Sequence, residues 1–395
     1  MDVEKNNKRA WQTFLLDVFI CSLGSYGGPE AHYGVFTDQM VTKKKYLTEE
    51  ELVELIALTG ILPGPSSTQT IVAIGYKFGG PILALFTMLV WALPVIVLMT
   101  LLSFSGEFLE KMNISQDGLR YIGPMAVGFI IVGAYRINSK VIKDKMTLIL
   151  LLFGALSTYF IRDPWIYPLV LILGGLISLL ITEEKELWNR VELNPPWRYL
   201  WVFLAFAVGT FLAVQIWDNL ILSLFEKFYR YGYLVIGGGQ VVVPFMHSEL
   251  VEVNNYITNQ EFLTGFGLVQ GLPGPMFSFS AYAGGMAARN RSTLNQVFAA
   301  ISSSIGIFLP GLFLIYFVYP MWEKLKKIKA IKIALKGITA VAGGLISVAA
   351  IILMQKSGLT IANTIITIST VALLLTRKMP APLIVLFTLL VGFIV

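Results

Sequence analysis

The sequence is short of charge, cysteine and histidine, and each shortage excludes something. Asp, Glu, Lys and Arg make up 14% of its 395 residues, where a soluble domain carries about a quarter. So little charge excludes a soluble enzyme, a disordered chain and a nucleic-acid binder. One cysteine, Cys21, excludes a disulfide framework and a cysteine-built metal site. Two histidines, His32 and His247, are too few for a histidine metal cluster. No metal, no cofactor and no catalytic residue set is therefore expected. What the chain has instead is apolar: 56% hydrophobic residues and a mean hydropathy of +0.72. Those proportions belong to an all-α polytopic membrane protein whose main partner is the lipid bilayer. The net charge of +6 is then expected to gather in cytoplasmic loops. Lys5, Lys8 and Arg9 precede the first apolar run, and no small-residue cleavage site follows. That segment reads as retained, in a multi-pass protein of the cell membrane with a cytoplasmic N-terminus.

Long apolar runs fall roughly at 80–104, 121–135, 146–161, 165–181, 199–217, 293–319, 337–355, 358–376 and 380–395. Each spans or nearly spans a core about 30 Å thick. Between them lie shorter segments broken by Gly and Pro: 11–26, 50–62 with 66–78, 221–246, and 262–272 with 276–288. Broken segments at matching positions of two halves mark a transporter binding site.

The halves do match. At a constant offset of 210, Tyr46, Thr48, Glu51, Leu58, Leu62, Pro63, Gly64 and Pro65 recur as Tyr256, Thr258, Glu261, Leu268, Leu272, Pro273, Gly274 and Pro275. Gly27-Gly28 falls on Gly237-Gly238. With small gaps, Pro94 pairs with Pro310 and Gly123 with Gly337. Thr48 with Glu51, and Thr258 with Glu261, each read as a capping box. The chain is a tandem repeat: residues 1–181, a linker with an extra transmembrane helix over 182–220, and residues 221–395. Lys43, Lys44 and Lys45 precede the first capped helix, whereas its counterpart is preceded by Glu249 and Glu252. The positive-inside rule puts the first loop in the cytoplasm and the second outside. That requires 50–62 and 66–78 to form a re-entrant pair. The expected fold is two inverted-topology repeats with broken, re-entrant helices at a central site.

The two Leu-Pro-Gly-Pro breaks are the most informative feature. Pro63, Gly64 and Pro65 are followed by Ser66, Ser67, Thr68 and Gln69; Pro273, Gly274 and Pro275 are followed by Met276, Phe277 and Ser278. Proline removes a donor and forces the residue before it out of helix. A helix restarting after the second proline, with hydroxyl caps in the first repeat, exposes unpaired N–H groups and a positive dipole end. Such an end suits an anion. The glycine turns Gly24–Pro29 and Gly237–Gly239 expose further amides, with Gln240 a possible donor. The bland alternative is a pair of packing kinks. Among ionisable residues at depth, Asp17, Glu30 and His32 are candidates for proton coupling. Each also has a structural reading: an interfacial charge, or a hydrogen-bonded histidine. Lys77 reads as compensating a helix dipole, and Trp91, Trp165 and Trp217 as interface anchors.

These motifs resemble the chromate ion transporter (CHR) family in its long, two-domain form. The resemblance rests on Ser25-Tyr26-Gly27-Gly28-Pro29-Glu30-Ala31-His32, Leu62–Gln69 and Gly75-Tyr76-Lys77 in the first repeat. In the second it rests on Gly237–Pro244 and Gln270–Phe279 with Ala281-Tyr282. The sequence departs from the family at Ile20, where members often carry a base, and at Thr59-Gly60, where Cys-Gln is frequent. The resemblance implies secondary transport of a tetrahedral oxyanion without ATP. Chromate export is implied, in exchange for a sulfate-like oxyanion or coupled to protons; a homodimer is a separate expectation. The expected binding residues are Gly27, Gly28, Ser66, Ser67, Thr68, Gln69, Gly237, Gly238, Gln240 and Ser278. Other readings are an anion channel, a carrier of a different small anion, an embedded enzyme, or a receptor that binds without flux.

Overall fold

The computed structural model describes residues 2–106, 116–184, 193–235 and 239–394. Among them the chain is helical, with no strand. Helices and closed barrels are the structures that satisfy their own backbone in lipid. Among the described residues, five helices are long and apolar enough to cross a membrane: Ser66–Leu102, Ile122–Val141, Trp197–Ile216, Thr293–Leu325 and Lys329–Lys356.

The chain opens with α1 (Asp2–Gly24), α2 (Pro29–Phe36), α3 (Glu49–Ile61) and α4 (Ser66–Leu102). α5 (Ile122–Val141), α6 (Lys145–Phe160), α7 (Ile166–Ile181) and α8 (Trp197–Ile216) follow. The second half has α9 (Leu220–Leu234), α10 (Val243–His247), α11 (Asn259–Gln270), α12 (Phe279–Ala287) and α13 (Thr293–Val318). It closes with α14 (Trp322–Leu325), α15 (Lys329–Lys356), α16 (Ile361–Thr376) and α17 (Ala381–Ile394).

α3 starts at a capping box: the Thr48 hydroxyl accepts from the Glu51 N–H, and the Glu51 carboxylate from the Thr48 N–H. It stops where Pro63 and Pro65 forbid helix. The chain then doubles back. The Thr59 and Thr70 hydroxyls lie 2.7 Å apart, and the Lys77 ammonium bonds Glu51 at 2.7 Å. That bond holds the Glu51 carboxyl below the usual carboxylate range. Glu51 and Lys77 therefore share one base, and residues 62–65 form the tip of a hairpin. α4 reverses again at Gly79 and Gly80, whose dihedrals are non-helical. The Trp91 indole donates to the Thr68 hydroxyl at 3.1 Å across 23 residues, which a straight helix would hold about 35 Å apart.

The second half repeats these features at the same offset. Lys45 and Asn255 both take left-handed backbone, at φ 54 and 51. π-helical stretches occupy Thr37–Lys43 and Ser248–Val253. Thr258 and Glu261 form the second capping box, and Arg289 returns to within 3.4 Å of Glu261 to close the second base. The long arms then run between the bases. The arm 81–102 leaves the first base and ends at Ser103, whose carbonyl accepts from Gln296 at 3.1 Å near the second. α13 begins near the second base and leads to Tyr319, whose ring lies 5.0 Å from that of Tyr76, and to Lys326, which pairs with Glu54. Each arm starts beside one base and ends beside the other.

Glycines let α15 press against α6 and α7. A Cβ on Gly344 would lie 2.1 Å from the Leu151 carbonyl, and one on Gly337 would lie 2.1 Å from the Gly174 carbonyl. Close backbone approach of this kind replaces the hydrophobic drive that lipid does not supply. α8 buries none of its residues and lies outside, with the Tyr229 hydroxyl bonded to the Phe203 carbonyl at 2.9 Å. The expected linker is in part outside the described residues, and α8 occupies Trp197–Ile216 of it.

Candidate functional site

The two tips meet in the middle of the bundle. The Gly64 N–H donates to the Val235 carbonyl at 2.7 Å, and the Gly274 N–H donates to the Ser25 carbonyl at 2.7 Å. Val235 stands 210 residues after Ser25, as Gly274 does after Gly64, so one contact is the counterpart of the other. Each proline break is thus tied to the turn that follows the first helix of the opposite half. Both tip glycines need their left-handed backbone, with φ 130 at Gly64 and φ 105 at Gly274.

Between the tips lies a small pocket of about 260 Å³, its open mouth included. His32, Ser66, Ser67 and Thr68 line it from the first half, and Met276 and Phe277 from the second. Pro29, Pro65 and Pro275 complete the wall. α4 begins here with Pro65 as its N-cap and no capping side chain, so its first amides are free to face a ligand. The hydroxyl caps expected at this start do not form. Ser67 instead bonds the His32 Nδ1 at 2.9 Å, and Thr68 accepts from Trp91. A helix start is a positive dipole end, and no charged side chain lines this one.

Several buried polar atoms around the tips have no protein partner: His32 Nε2, Ser25 Oγ, Gln69 Oε1 and Ser278 Oγ. Gln69 spends its amide on the Pro63 carbonyl at 2.8 Å, bracing the tip. Ser278 is fully buried in the short turn after the second break. Gly27 and Gly28 take φ 81 and 95, with no protein atom within 4 Å of where a side chain would start. Gly237 and Gly238 lie outside the described residues. Gln240 is set against Gly133 of α5 and does not line the pocket.

The three coupling candidates separate. His32 lines the pocket. Asp17 is buried outside the pocket, held by the Gln39 amide at 2.8 Å, the Tyr46 hydroxyl at 2.7 Å and the Lys44 ammonium at 3.1 Å. Glu30 is exposed and paired with Lys140. Trp91 is a correction: expected at the membrane interface, it is fully buried, with its ring edge against His32 and Phe36. Trp165 and Trp217 are exposed.

Sequence reasoning missed a charge cluster between α9 and the stretch Ser248–Val253. Glu249 accepts from Lys227 at 3.0 Å, from Arg230 at 2.8 Å and from the Tyr231 hydroxyl at 2.8 Å. Arg230 also bonds Glu226 at 2.8 Å. The available signal was the repeat itself: Lys227 and Glu249 are the counterparts of Asp17 and Gln39, and Arg230 is that of Ile20.

The Chromate transporter family model matches the chain over residues 11–179 and 222–393. The chain belongs to the Chromate transporter family. It is therefore a polytopic membrane protein of a transporter family. Relatives include a probable chromate transport protein of Synechococcus elongatus, 24% identical over 96% of this chain and 94% of the relative. A chromate transport protein of Cupriavidus metallidurans is 24% identical over 96% of this chain and 92% of its own. An uncharacterized transporter of Methanocaldococcus jannaschii is 23% identical over 82% of this chain and 79% of its own. No solved structure matches. Each matched segment of this chain contains one break, and the pocket is built where the two members of the pair meet.

Proposed function

We propose that this member of the family is a secondary active transporter of a tetrahedral oxyanion, chromate first among the candidates, working by alternating access. The observation that carries the reading is the pocket between two mutually tied breaks, with an uncapped helix start and the Ser66, Ser67 and Thr68 hydroxyls around it. Backbone amides and hydroxyls hold an anion without a fixed cation, which lets it leave as well as bind. Chromate and sulfate share shape and charge, so such a site discriminates between them weakly.

The arms that run from one hairpin base to the other support reading the halves, 1–181 and 221–395, as inverted repeats. Charge supports a cytoplasmic first base. Lys43, Lys44, Lys77 and Lys326 gather there. Trp11 of α1 packs at Gly79 on the same side, in keeping with a cytoplasmic N-terminus.

The test is uptake of labelled sulfate into proteoliposomes, with and without trapped chromate or sulfate. Acceleration by trapped oxyanion is the expected result. Flux without counter-transport would indicate a channel, and no flux of either anion through folded protein would overturn the reading. The double substitution Ser66→Ala with Ser67→Ala is expected to weaken sulfate binding by about tenfold or more, since each hydrogen bond to a charged group contributes about 1.5–3 kcal/mol. Equilibrium binding measures this, with an unchanged melting curve as the control for folding.

A further inference from the structure

The pocket holds one titratable side chain among the described residues, and its hydrogen bonds are incomplete. His32 is 1% exposed. Its Nδ1 lies 2.9 Å from the Ser67 oxygen, and its Nε2 has no partner. Two neutral forms are possible. If Ser67 donates to Nδ1, the pocket receives one donor, the Nε2 N–H. If Nδ1 donates to Ser67, the pocket receives the Ser67 hydroxyl proton, while Nε2 becomes an acceptor that repels an oxyanion. Only the imidazolium supplies both donors at once, with Nδ1–H fixing Ser67 so that its hydroxyl and Nε2–H both point outward. It also supplies the one positive charge that this pocket lacks. A buried dianion with no countercharge is costly.

We propose that His32 takes up one proton from water when a dianionic oxyanion enters the pocket, so that the bound species is the anion together with a proton. One N–H bond forms at the ring as an O–H bond of hydronium breaks; Nε2 and Nδ1 both carry hydrogen in the bound state, and the proton returns to water on release. The inference rests on the function proposed above and names the coupling residue of that same site.

The carboxylates and amines named here on neighbouring elements already have partners. On α1, Asp17 is held by Gln39, Lys44 and Tyr46, and Cys21 is a fully buried thiol. On α2, Glu30 pairs with Lys140, and on the stretch after it Asp38 pairs with Lys43. On α4, Lys77 is tied to Glu51 at the base. The wall from the second half, Pro275 to Phe277, carries none.

Sulfate is the probe, because it stays doubly charged across the range in which histidine titrates, about pH 5 to 8. The full-length purified protein should bind labelled sulfate with an affinity that rises about tenfold for each pH unit lowered, until His32 is protonated without ligand. In weakly buffered solution containing an indicator dye, about one proton should disappear per sulfate bound. His32→Gln should bind more weakly, with a flat pH profile and no proton uptake. Ser67→Ala should keep the proton uptake at reduced affinity. Sulfate binding to the unaltered protein with no proton uptake and a flat profile overturns the inference and leaves the proposed function standing. Proton uptake that persists in His32→Gln overturns the assignment to His32. Absence of sulfate and chromate binding at every pH overturns this inference and the reading beneath it.

Discussion

Gly64→Ala should cut sulfate uptake by about tenfold to a hundredfold while leaving the protein in the membrane. At φ 130 an alanine is strained, by about 1–3 kcal/mol. Its Cβ would also sit 2.6 Å from the Gln69 Nε2, the atom that braces the tip through the Pro63 carbonyl. The chain can relieve this by turning the Gly64 peptide, but that peptide carries the bond to Val235. Relief at the tip therefore costs the tie between the halves. Gly274→Ala should act in the same direction, since its φ is 105 and its Cβ would press on Val95 at 3.0 Å. Gly60→Ala is the control: it lies on exposed helix with nothing within 4 Å, and should leave uptake unchanged. Proteoliposome uptake, normalised to reconstituted protein, measures all three. Full activity in Gly64→Ala would show that the tip geometry does not matter to transport.

Glu249→Gln should destabilise the fold by about 3–5 kcal/mol, the usual cost of leaving buried charge unpaired. In the folded protein Lys227 and Arg230 face Glu226 and Glu249, so the cluster is balanced. The Glu249 side chain is 7% exposed and that of Lys227 12%, so water cannot replace the lost charge. The substitution leaves two cations sharing Glu226. Adding Lys227→Met restores the balance, because Arg230 and Glu226 remain a pair. The double variant should recover much of the lost stability, which a double-mutant cycle on thermal midpoints in detergent would read. Equal and additive losses from the two substitutions would show that the cluster is not a unit.

Much of this architecture is legible in the residues because membrane physics leaves few options. Leu62–Pro65 and Leu272–Pro275 announce two breaks, since two prolines around a glycine remove donors and push the residues before them out of helix. Thr48 with Glu51, and Thr258 with Glu261, announce two helix starts for an equally local reason: the capping bonds span three residues. The pairing of 50–62 with 66–78 as a hairpin follows from adding the charge of Lys43 to Lys45. What could not be read is which polar residues meet. Trp91 is an apolar residue in an apolar run, and nothing in its neighbours distinguishes the lipid face from the pocket face. Ser66 to Thr68 carry the pattern of helix caps, yet Ser67 and Thr68 turn to His32 and Trp91, which lie far away in the chain. Asp17 and Glu30 look as eligible for coupling as His32 until their partners are seen.

The sequence by itself determined the membrane class, the duplication, the places where helices start and break, and the family resemblance, because each depends on composition or on contacts a few residues apart. Only the tertiary structure decided that Gly64 is tied to Val235 and Gly274 to Ser25, that His32 alone of the coupling candidates lines the pocket, and that a balanced charge cluster joins α9 to Glu249. Those facts depend on contacts between residues from 35 to more than 170 positions apart or on the cluster's burial. In lipid, hydropathy cannot rank such contacts, because the inside and the outside of the bundle are equally apolar.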